Sequence, residues 1–433
     1  MDFQKTNHEL LQYIKKATSP FHVILESEVR LKNAGFTELE LAKNWTLTKA
    51  GKYYVKAYGT TLFAFTVGEE LNDTLNFRIA AAHTDHPCFK IKPNAEMSNQ
   101  NYLKLNTDVY GGPIVNTWLD RPLSIAGKVA IRSEQVFQPE IRYIDFESPI
   151  VTIPNLAIHM NREVNQGVEL NRQNDTIPVL GLLKETLDKE HFFLEYLAKK
   201  LEVDLKDILD FDLYIYNCEE GCMVGMDEDL ISAPRLDNLT SCHALLEAII
   251  HGARTKDVNV IALFDNEEIG SKTKQGADSN LLGFVIEKIC DALSYDHTDY
   301  CNAILGSMFL SVDVAHAIHP NRTEKSDPTN QVKLNEGFVI KLNSNQKYAT
   351  DSEAIGIVQQ ICDSKEIKYQ KYVNRSDIAG GGTLGSITSS WLPMKTVDMG
   401  IPMLAMHSAR ETMGAKDQAY LEAMVHEFFS IDC

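Results

Sequence analysis

The sequence predicts an α/β protein: a domain built on a parallel sheet, interrupted in mid-chain by a β-rich insert. Three observations carry this prediction. Apolar runs such as VNVIALF, with Val258, Val260, Ile261, Leu263 and Phe264, are of the kind buried on both faces of a parallel sheet, and polarity changes abruptly at the carboxyl end. Amphipathic helical stripes accompany them: Cys242, Leu245, Leu246, Ile249 and Ile250 fall at i, i+3, i+4, i+7 and i+8, ahead of Gly252. From about residue 92 to 233 long helical periodicity is scarce, and alternating segments such as EIRYIDF (140–146) and FDLYIY (211–216) point to an antiparallel or mixed sheet. The expected organisation is a discontinuous α/β domain over 1–91 and 234–433 around an insert over 92–233.

With 433 residues the chain has room for two or three domains and a core that needs no staples. Lys and Arg number 42 against 60 Asp and Glu, a net charge of -18 spread without long runs, which argues for a soluble protein and against nucleic acid as a partner. The opening residues, MDFQKTNHELLQYIKKA, are not a basic segment followed by an apolar one, and no apolar run is long enough to span a bilayer. A cytoplasmic protein without membrane contact is expected. Eight cysteines (88, 218, 222, 242, 290, 301, 362 and 433) fit a reduced compartment. Cys218 and Cys222 lack a second pair at ligand spacing, which argues against structural zinc there.

In chain order, helices are expected over 7–16 and 21–33, closed by Gly35, then strands over 53–58, 62–67 and 77–82. The last strand leads into AAHTDHP. His83 and Asp85 point to one face if extended geometry persists, a spacing that suits a carboxylate orienting a histidine ligand; a surface loop is the plain alternative. Within the insert a helix is expected near 189–201, Trp118, Asp120 and Arg121 group as exposed-type residues, and PNLAIHMNR sets His159 in an apolar strand, where a histidine is structural by default. Asp237 precedes the helix containing 242–250 and reads equally as a cap. Glu267 and Glu268 follow the strand at 258–264. Adjacent acids share a small volume when a strong positive charge sits among them, and a divalent metal lets one carboxylate ligate while its neighbour accepts protons. Otherwise Asp265, Glu267 and Glu268 form an acidic first turn complementing a helix dipole. The apolar strand in MFLSVDVAHAIHP ends in Asp313, with His316 and His319 beyond it. A polar loop over 321–331, a strand over 338–343 and a helix capped by Ser352 and running through 361 follow. Gly380 to Gly382 form a tight turn or a close backbone approach to substrate, a strand over 401–406 delivers His407, and a closing helix carries Leu421, Met424, Val425 and Phe428 on one face.

His83, Asp237, Glu268, Asp313 and His407 each follow an apolar strand or open a helix, so a parallel sheet gathers them at one edge, where open α/β sheets put their chemistry. Each alone has an easy structural explanation; together they point to a dinuclear metal site. Three carboxylates plus a bridging hydroxide balance two divalent ions. Imidazole with carboxylate, without a thiolate cluster, suits zinc, cobalt or manganese.

The ordered set SPFHV, YGG, PNLAIHMNR, PRLDNL, FDNEEIGS, SVDVAHAIHPN, GGGTLG and MLAMHSARE resembles the aspartyl aminopeptidase family, dinuclear zinc aminopeptidases that form tetrahedral dodecamers, and it covers essentially the whole chain. The resemblance implies a zinc-peptidase-like three-layer catalytic domain with a mixed central sheet, the insert serving dimerisation. It implies that Asp237 bridges two metals, with His83 and Asp313 completing one site and Glu268 and His407 the other. Glu267 would be the general base, Asp85 would orient His83, and His159 would enter the active site of a neighbouring protomer as a donor to substrate or oxyanion. His86 in HTDHP departs from the family, where a small residue is usual. The implied activity is removal of N-terminal residues, preferentially Asp or Glu, from peptides with a free N-terminus. Acidic specificity needs a cation beside the metals. Lys341 in VIKLN is the candidate, since a buried lysine needs a partner and its strand feeds the same edge; a lysine snorkelling to solvent is the alternative. His316 is a further candidate for substrate contact. The nearer rival is a dinuclear aminopeptidase of neutral or broad specificity. The farther is a non-catalytic oligomeric scaffold, against which the intact Glu267 and ligand set argue.

Overall fold

The computed structural model describes residues 1–183 and 191–432. The chain divides into two units: Met1–Asp85 with Gly221–Met406 and Glu411–Cys433, and His86–Glu220 with His407–Arg410.

The first unit is organised by a nine-stranded sheet in the order Thr37–Leu39, Lys52–Ala57, Thr61–Val67, Val258–Phe264, Phe77–His83, Met308–Val312, Lys395–Gly400, Phe338–Leu342, Tyr369–Val373. Its four central strands are parallel, and antiparallel neighbours on either side make the sheet mixed. Side chains alternate across a strand, so a run that is apolar at every position fills two cores at once. Ala80, Ala82, Ile261, Leu263, Leu310 and Val312 pack on one face with the helices Phe3–Lys16, Pro20–Asn33, Leu236–His251 and Asp417–Phe428. Ile79, Ala81, Val260, Phe264 and Phe309 pack on the other with Leu281–Ala292 and His297–Gly306. The result is three layers, with the carboxyl ends of the parallel strands, at His83, Phe264 and Val312, along one edge.

A second, five-stranded sheet in this unit joins Cys222–Val224, Leu230–Ala233, Glu411–Gly414, Pro402–Leu404 and Ala315–His316. It corrects the expected strand over 401–406. Only Pro402–Leu404 is extended, because Ala405 and His407 turn to φ 57° and 68°, and the nearby central strand is Lys395–Gly400, whose periodicity is masked by a buried Asp398. The helix Ser352–Lys365 is capped by Asp351, which accepts from the Ala354 amide at 2.9 Å, not by Ser352.

The second unit is a six-stranded sheet, antiparallel at every pairing, in the order Glu140–Asp145, Leu123–Ile131, Ile208–Asn217, Cys88–Asn99, Tyr102–Tyr110, Val179–Leu182. The helix expected over 189–201 is seen as Phe192–Leu201, with 189 and 190 outside the described residues. Glu96, on a neighbouring strand, accepts from the Phe193 and Leu194 amides at 2.6 and 2.9 Å and caps it. The unit begins at His86 instead of residue 92 because Cys88–Asn99 already belongs to its sheet. It ends at Glu220 instead of 233 because Leu230–Ala233 pairs with Glu411–Gly414 in the first unit. Of the three expected to group as exposed-type residues, only Asp120 is exposed, where it accepts from the Asn155 amide; Trp118 is buried, edge-on to Phe89, and Arg121 is half-buried and pairs with Glu219 at 2.7 Å.

His159 is not in a strand. The backbone turns there, with the Met160 and Asn161 amides both donating to Ala157 O at 2.8 and 3.2 Å, and the alternating apolar residues that suggested a strand, Leu156, Ile158 and Met160, are 55%, 47% and 74% exposed. The seven cysteines among the described residues are free thiols; Cys433 lies outside them. No described helix is long and apolar enough to cross a membrane.

Candidate metal centre

His83 ends the strand Phe77–His83 and is 1% exposed. Its Nδ1 donates to the Asp85 backbone oxygen at 3.0 Å, which turns Nε2 toward Asp237 Oδ1 at 3.3 Å and Asp313 Oδ1 at 3.5 Å. The Cys242 thiol donates to the His83 carbonyl at 3.0 Å; burial pushes this thiol up to about 12, so it stays a neutral donor. Sequence reading missed that contact, since Cys242 is only one member of an apolar helix stripe.

Asp85 holds more than His83. Its carboxylate lies 3.5 Å from His83 Nδ1, a longer contact than the one from its own carbonyl, and accepts from the Glu267 and Glu268 amides at 3.1 Å each. That pair of bonds fixes the turn Glu267–Ile269, which leaves the strand Val258–Phe264 through Asn266 at φ 63° and closes at Gly270 at φ 95°, a left-handed conformation that favours glycine. One aspartate thereby sets both the histidine and the two glutamates. Asp237 adopts extended geometry (φ -81°, ψ 106°) just ahead of the regular helix, with its amide donating to Glu411 Oε2 at 3.0 Å. Its neighbour Asn238 donates through Nδ2 to Val312 O at 2.9 Å, tying the helix start to the end of the strand Met308–Val312.

One donor atom each from His83, Asp237 and Asp313 lies within 4.8 Å of the others, and the same holds for His83, Glu267 and Glu268. The electrostatics show what this arrangement lacks. Burial alone disfavours a charged His83, but hydrogen bonds to Asp237, Asp313 and Asp85 outweigh it and raise its pKa well above the ordinary value. Burial, reinforced by neighbouring carboxylates, pushes Glu267 up to about 7 and Glu268 well above the usual range. Against its own burial, Asp313 is held below that range by Lys341 and His83. Five carboxylates, of Asp85, Asp237, Asp313, Glu267 and Glu268, crowd one imidazole and one ammonium, so the chain's own groups leave negative charge uncompensated. A divalent cation supplies the missing charge, and an imidazole with carboxylate oxygens is a donor set that zinc accepts. The residues fit the metal.

Lys341 is 2% exposed, which rules out snorkelling. Its Nζ lies 3.4 Å from Asp313 Oδ2 and 3.1 Å from Val314 O, under the Tyr348 ring. It therefore stands beside the cluster, on the side of Asp313 away from His83. His316 is exposed in the five-stranded sheet, with its ring 6.1 Å from that of Tyr372. His407 belongs to the second unit, where its Nδ1 donates to Gly112 O at 3.0 Å and leaves Nε2 as the ligand-competent nitrogen. The YGG motif thus supplies a histidine-orienting carbonyl. His86 is buried at the start of the second unit. Gly381, inside the triple glycine, faces open space.

Residues 13–429 match the family described as aminopeptidase I zinc metalloprotease (M18). A probable M18 family aminopeptidase 2 of Clostridium novyi (strain NT) is 46% identical over 428 residues, 99% of each chain. Among solved structures, the chain is similar to the cryo-EM structure of the Ape4 and Nbr1 complex, with a TM-score of 0.94 and 30% identity over 99% of this chain and 86% of that one. The S. cerevesiae mApe1 dodecamer has a TM-score of 0.86 and 26% identity over 99% of this chain and 97% of that one. The chain belongs to the aminopeptidase I zinc metalloprotease family, M18, and is a metallo-aminopeptidase.

Proposed function

We propose that this protein removes N-terminal residues, preferentially Asp or Glu, from peptides, using two divalent metal ions and Glu267 as general base. The observation that carries the reading is the placement of Glu267 in a turn fixed by Asp85, with a donor atom within 4.8 Å of His83 and Glu268. His83 and Asp313 are assigned to one ion, Glu268 and His407 to the other on the family pattern, and Asp237 to both. When bound, the ions supply Lewis acidity for the scissile carbonyl and for a water molecule. The protein's own groups do the rest. Glu267 takes a proton from the attacking water and returns it to the leaving amine nitrogen. Asp85 keeps Glu267 and Glu268 from exchanging places by holding both of their amides. Zinc is the expected metal from the family description, with cobalt or manganese compatible with the same donors.

Lys341 supports acidic specificity by position: it is a buried cation beside Asp313, where a substrate carboxylate would meet positive charge. His316, exposed nearby in sequence, is a second candidate contact. His159 is proposed to act in a neighbouring protomer, within a homo-oligomer assembled like the mApe1 dodecamer; an exposed turn flanked by three exposed apolar side chains supports burial against another copy. A panel of aminoacyl chromogenic substrates, read together with metal analysis, tests the proposal. Fastest turnover on Asp and Glu with two metals per subunit is expected, and faster turnover on Leu or Ala would select the neutral or broad-specificity reading.

A further inference from the structure

The helices Leu281–Ala292, His297–Gly306 and Leu384–Trp391 border a cavity of about 210 Å³, smaller than a drug-sized site and matched to a compact ligand. No residue of the metal cluster lines it. It is distinct from the metal centre.

Three aromatic side chains, Phe284, Tyr300 and Trp391, line the cavity. Two of the rings are held in place: the Trp391 indole donates to Asp278 Oδ1 at 2.7 Å, and the Tyr300 ring stacks on His297 at 5.6 Å. Side chains three apart on a helix share a face, so Glu287 stands beside Phe284 and lines the cavity with it. Glu287 Oε1 lies 3.1 Å from His297 Nδ1, and Oε2 has no partner among the described residues. No lysine or arginine lines the cavity; the adjacent Lys288 ammonium lies 5.1 Å from the Trp45 ring. A second cavity shares Glu287, His297 and Tyr300 and sets Asp291 and Asp296 against Lys288, so carboxylates outnumber cations around the aromatic rings. The positive helix ends nearby are answered locally: Asp296 accepts from the Thr298 and Asp299 amides at 2.7 and 2.9 Å, and Ser279 Oγ accepts from the Leu281 amide at 3.4 Å. Thr388 adds a polar anchor. It is 3% exposed, lines the cavity, and its hydroxyl has no hydrogen-bond partner among the described residues.

The face of an aromatic ring attracts a cation, and several rings beside a carboxylate recognise an alkylated ammonium. A buried hydroxyl left unpaired is costly, so a ligand that pairs with it is favoured. We propose that this cavity binds a small organic cation carrying a hydroxyl group, its ammonium among Phe284, Tyr300 and Trp391 beside Glu287, and its hydroxyl paired with Thr388. The site uses no group of the peptidase reaction, so it stands or falls separately from it.

The test titrates choline into the full-length, metal-loaded protein by isothermal calorimetry. Its neutral match is 3,3-dimethyl-1-butanol, which carries carbon where choline carries nitrogen, and its match without a hydroxyl is tetramethylammonium. One choline per subunit is expected, with the neutral alcohol about tenfold weaker or more. Trp391→Leu exchanges a ring face for aliphatic surface at a residue that is 56% exposed; it should weaken choline about fivefold or more and leave the neutral alcohol within about twofold. Glu287→Gln should likewise weaken choline and spare the alcohol. Thr388→Val removes the hydroxyl at nearly constant volume, and should weaken choline while leaving tetramethylammonium unchanged. Equal affinity for choline and the alcohol, choline binding indifferent to Trp391→Leu and Glu287→Gln, equal losses of choline and tetramethylammonium in Thr388→Val, or heat that never saturates would each overturn the proposal. If Thr388→Val does not fold, the affinities of choline and tetramethylammonium for the unaltered protein decide the part of the hydroxyl, and tetramethylammonium binding as tightly as choline rejects it.

Discussion

The candidate metal cluster and the PNLAIHMNR segment each carry a histidine proposed to act in catalysis, and they are built in opposite ways. At the strand ends, His83, Asp85 and Asp237 are at most 3% exposed and each is held by hydrogen bonds from its own unit. In the segment, His159 sits in an open turn among exposed Leu156, Ile158 and Met160. The first arrangement is complete within one chain except for cations. The second leaves apolar surface that no described residue of the same subunit covers. Pre-organisation by the chain and completion by a neighbour are thus separable, and substitutions distinguish them.

The largest effects belong to the pre-organised cluster. Glu267→Gln removes proton transfer while leaving the amide that Asp85 holds, so turnover is expected to fall by about 10² to 10⁴ with both metals retained. Asp237→Asn attacks the ions instead: both should be lost or loosened, and activity with them, because its Oδ1 faces His83 in the heart of the cluster. Metal content and rate measured side by side on the two variants give opposite patterns. A metal-replete Glu267→Gln enzyme with near-normal rate would remove Glu267 from its role.

The next effect tests completion by a neighbour. A donor that acts mainly in the transition state costs on the order of 10² to 10³ in turnover when removed, and His159→Ala should show a loss of that size with an unchanged melting temperature, since the exposed imidazole supports little of its own unit. Mixing inactive Glu267→Gln and inactive His159→Ala proteins under conditions of subunit exchange should restore activity, because some sites then combine an intact Glu267 with a neighbour's intact His159. Demonstrated mixing without recovery would reduce the segment to an assembly surface.

The same contrast decides what could be read from the sequence. The strand ends were legible because a parallel strand buried on both faces is apolar throughout and then changes polarity, as at Phe264 to Asn266 and Val312 to Asp313. Contacts made by backbone atoms left no such mark: the Asp85 carbonyl on His83, the Gly112 carbonyl on His407 and the amides of Glu267 and Glu268 on Asp85 appear only in three dimensions. Alternation misled at 156–160, where apolar residues at every second position do not form a strand because the chain turns at Ala157. The strand at 395–400 carried no apolar signal, because a charged residue is buried in it. Asp398 survives inside because Thr383 Oγ1 and the Ala349 amide donate to it at 2.5 and 2.6 Å, a satisfaction that no pattern of hydrophobicity records.

The smallest expected effect concerns Lys341, whose surroundings give it two possible duties. As a recogniser of the substrate's acidic side chain, its ammonium contributes a charge-assisted interaction worth about 1.5 to 3 kcal/mol, or roughly 10- to 100-fold. As a neighbour of Asp313, it balances a carboxylate expected to ligate metal, at 3.4 Å, and any substrate benefits from that. Lys341→Leu keeps the volume and the buried setting but removes both. If recognition dominates, kcat/KM should fall roughly 10- to 100-fold more on Asp and Glu substrates than on Leu or Ala substrates, with metal content near normal. If Lys341 serves only Asp313, the losses on acidic and neutral substrates will be equal and will track a loss of metal. Lys341→Arg sharpens the comparison, since it preserves charge while changing reach: restored metal content with acidic preference still impaired would separate the two duties within one side chain.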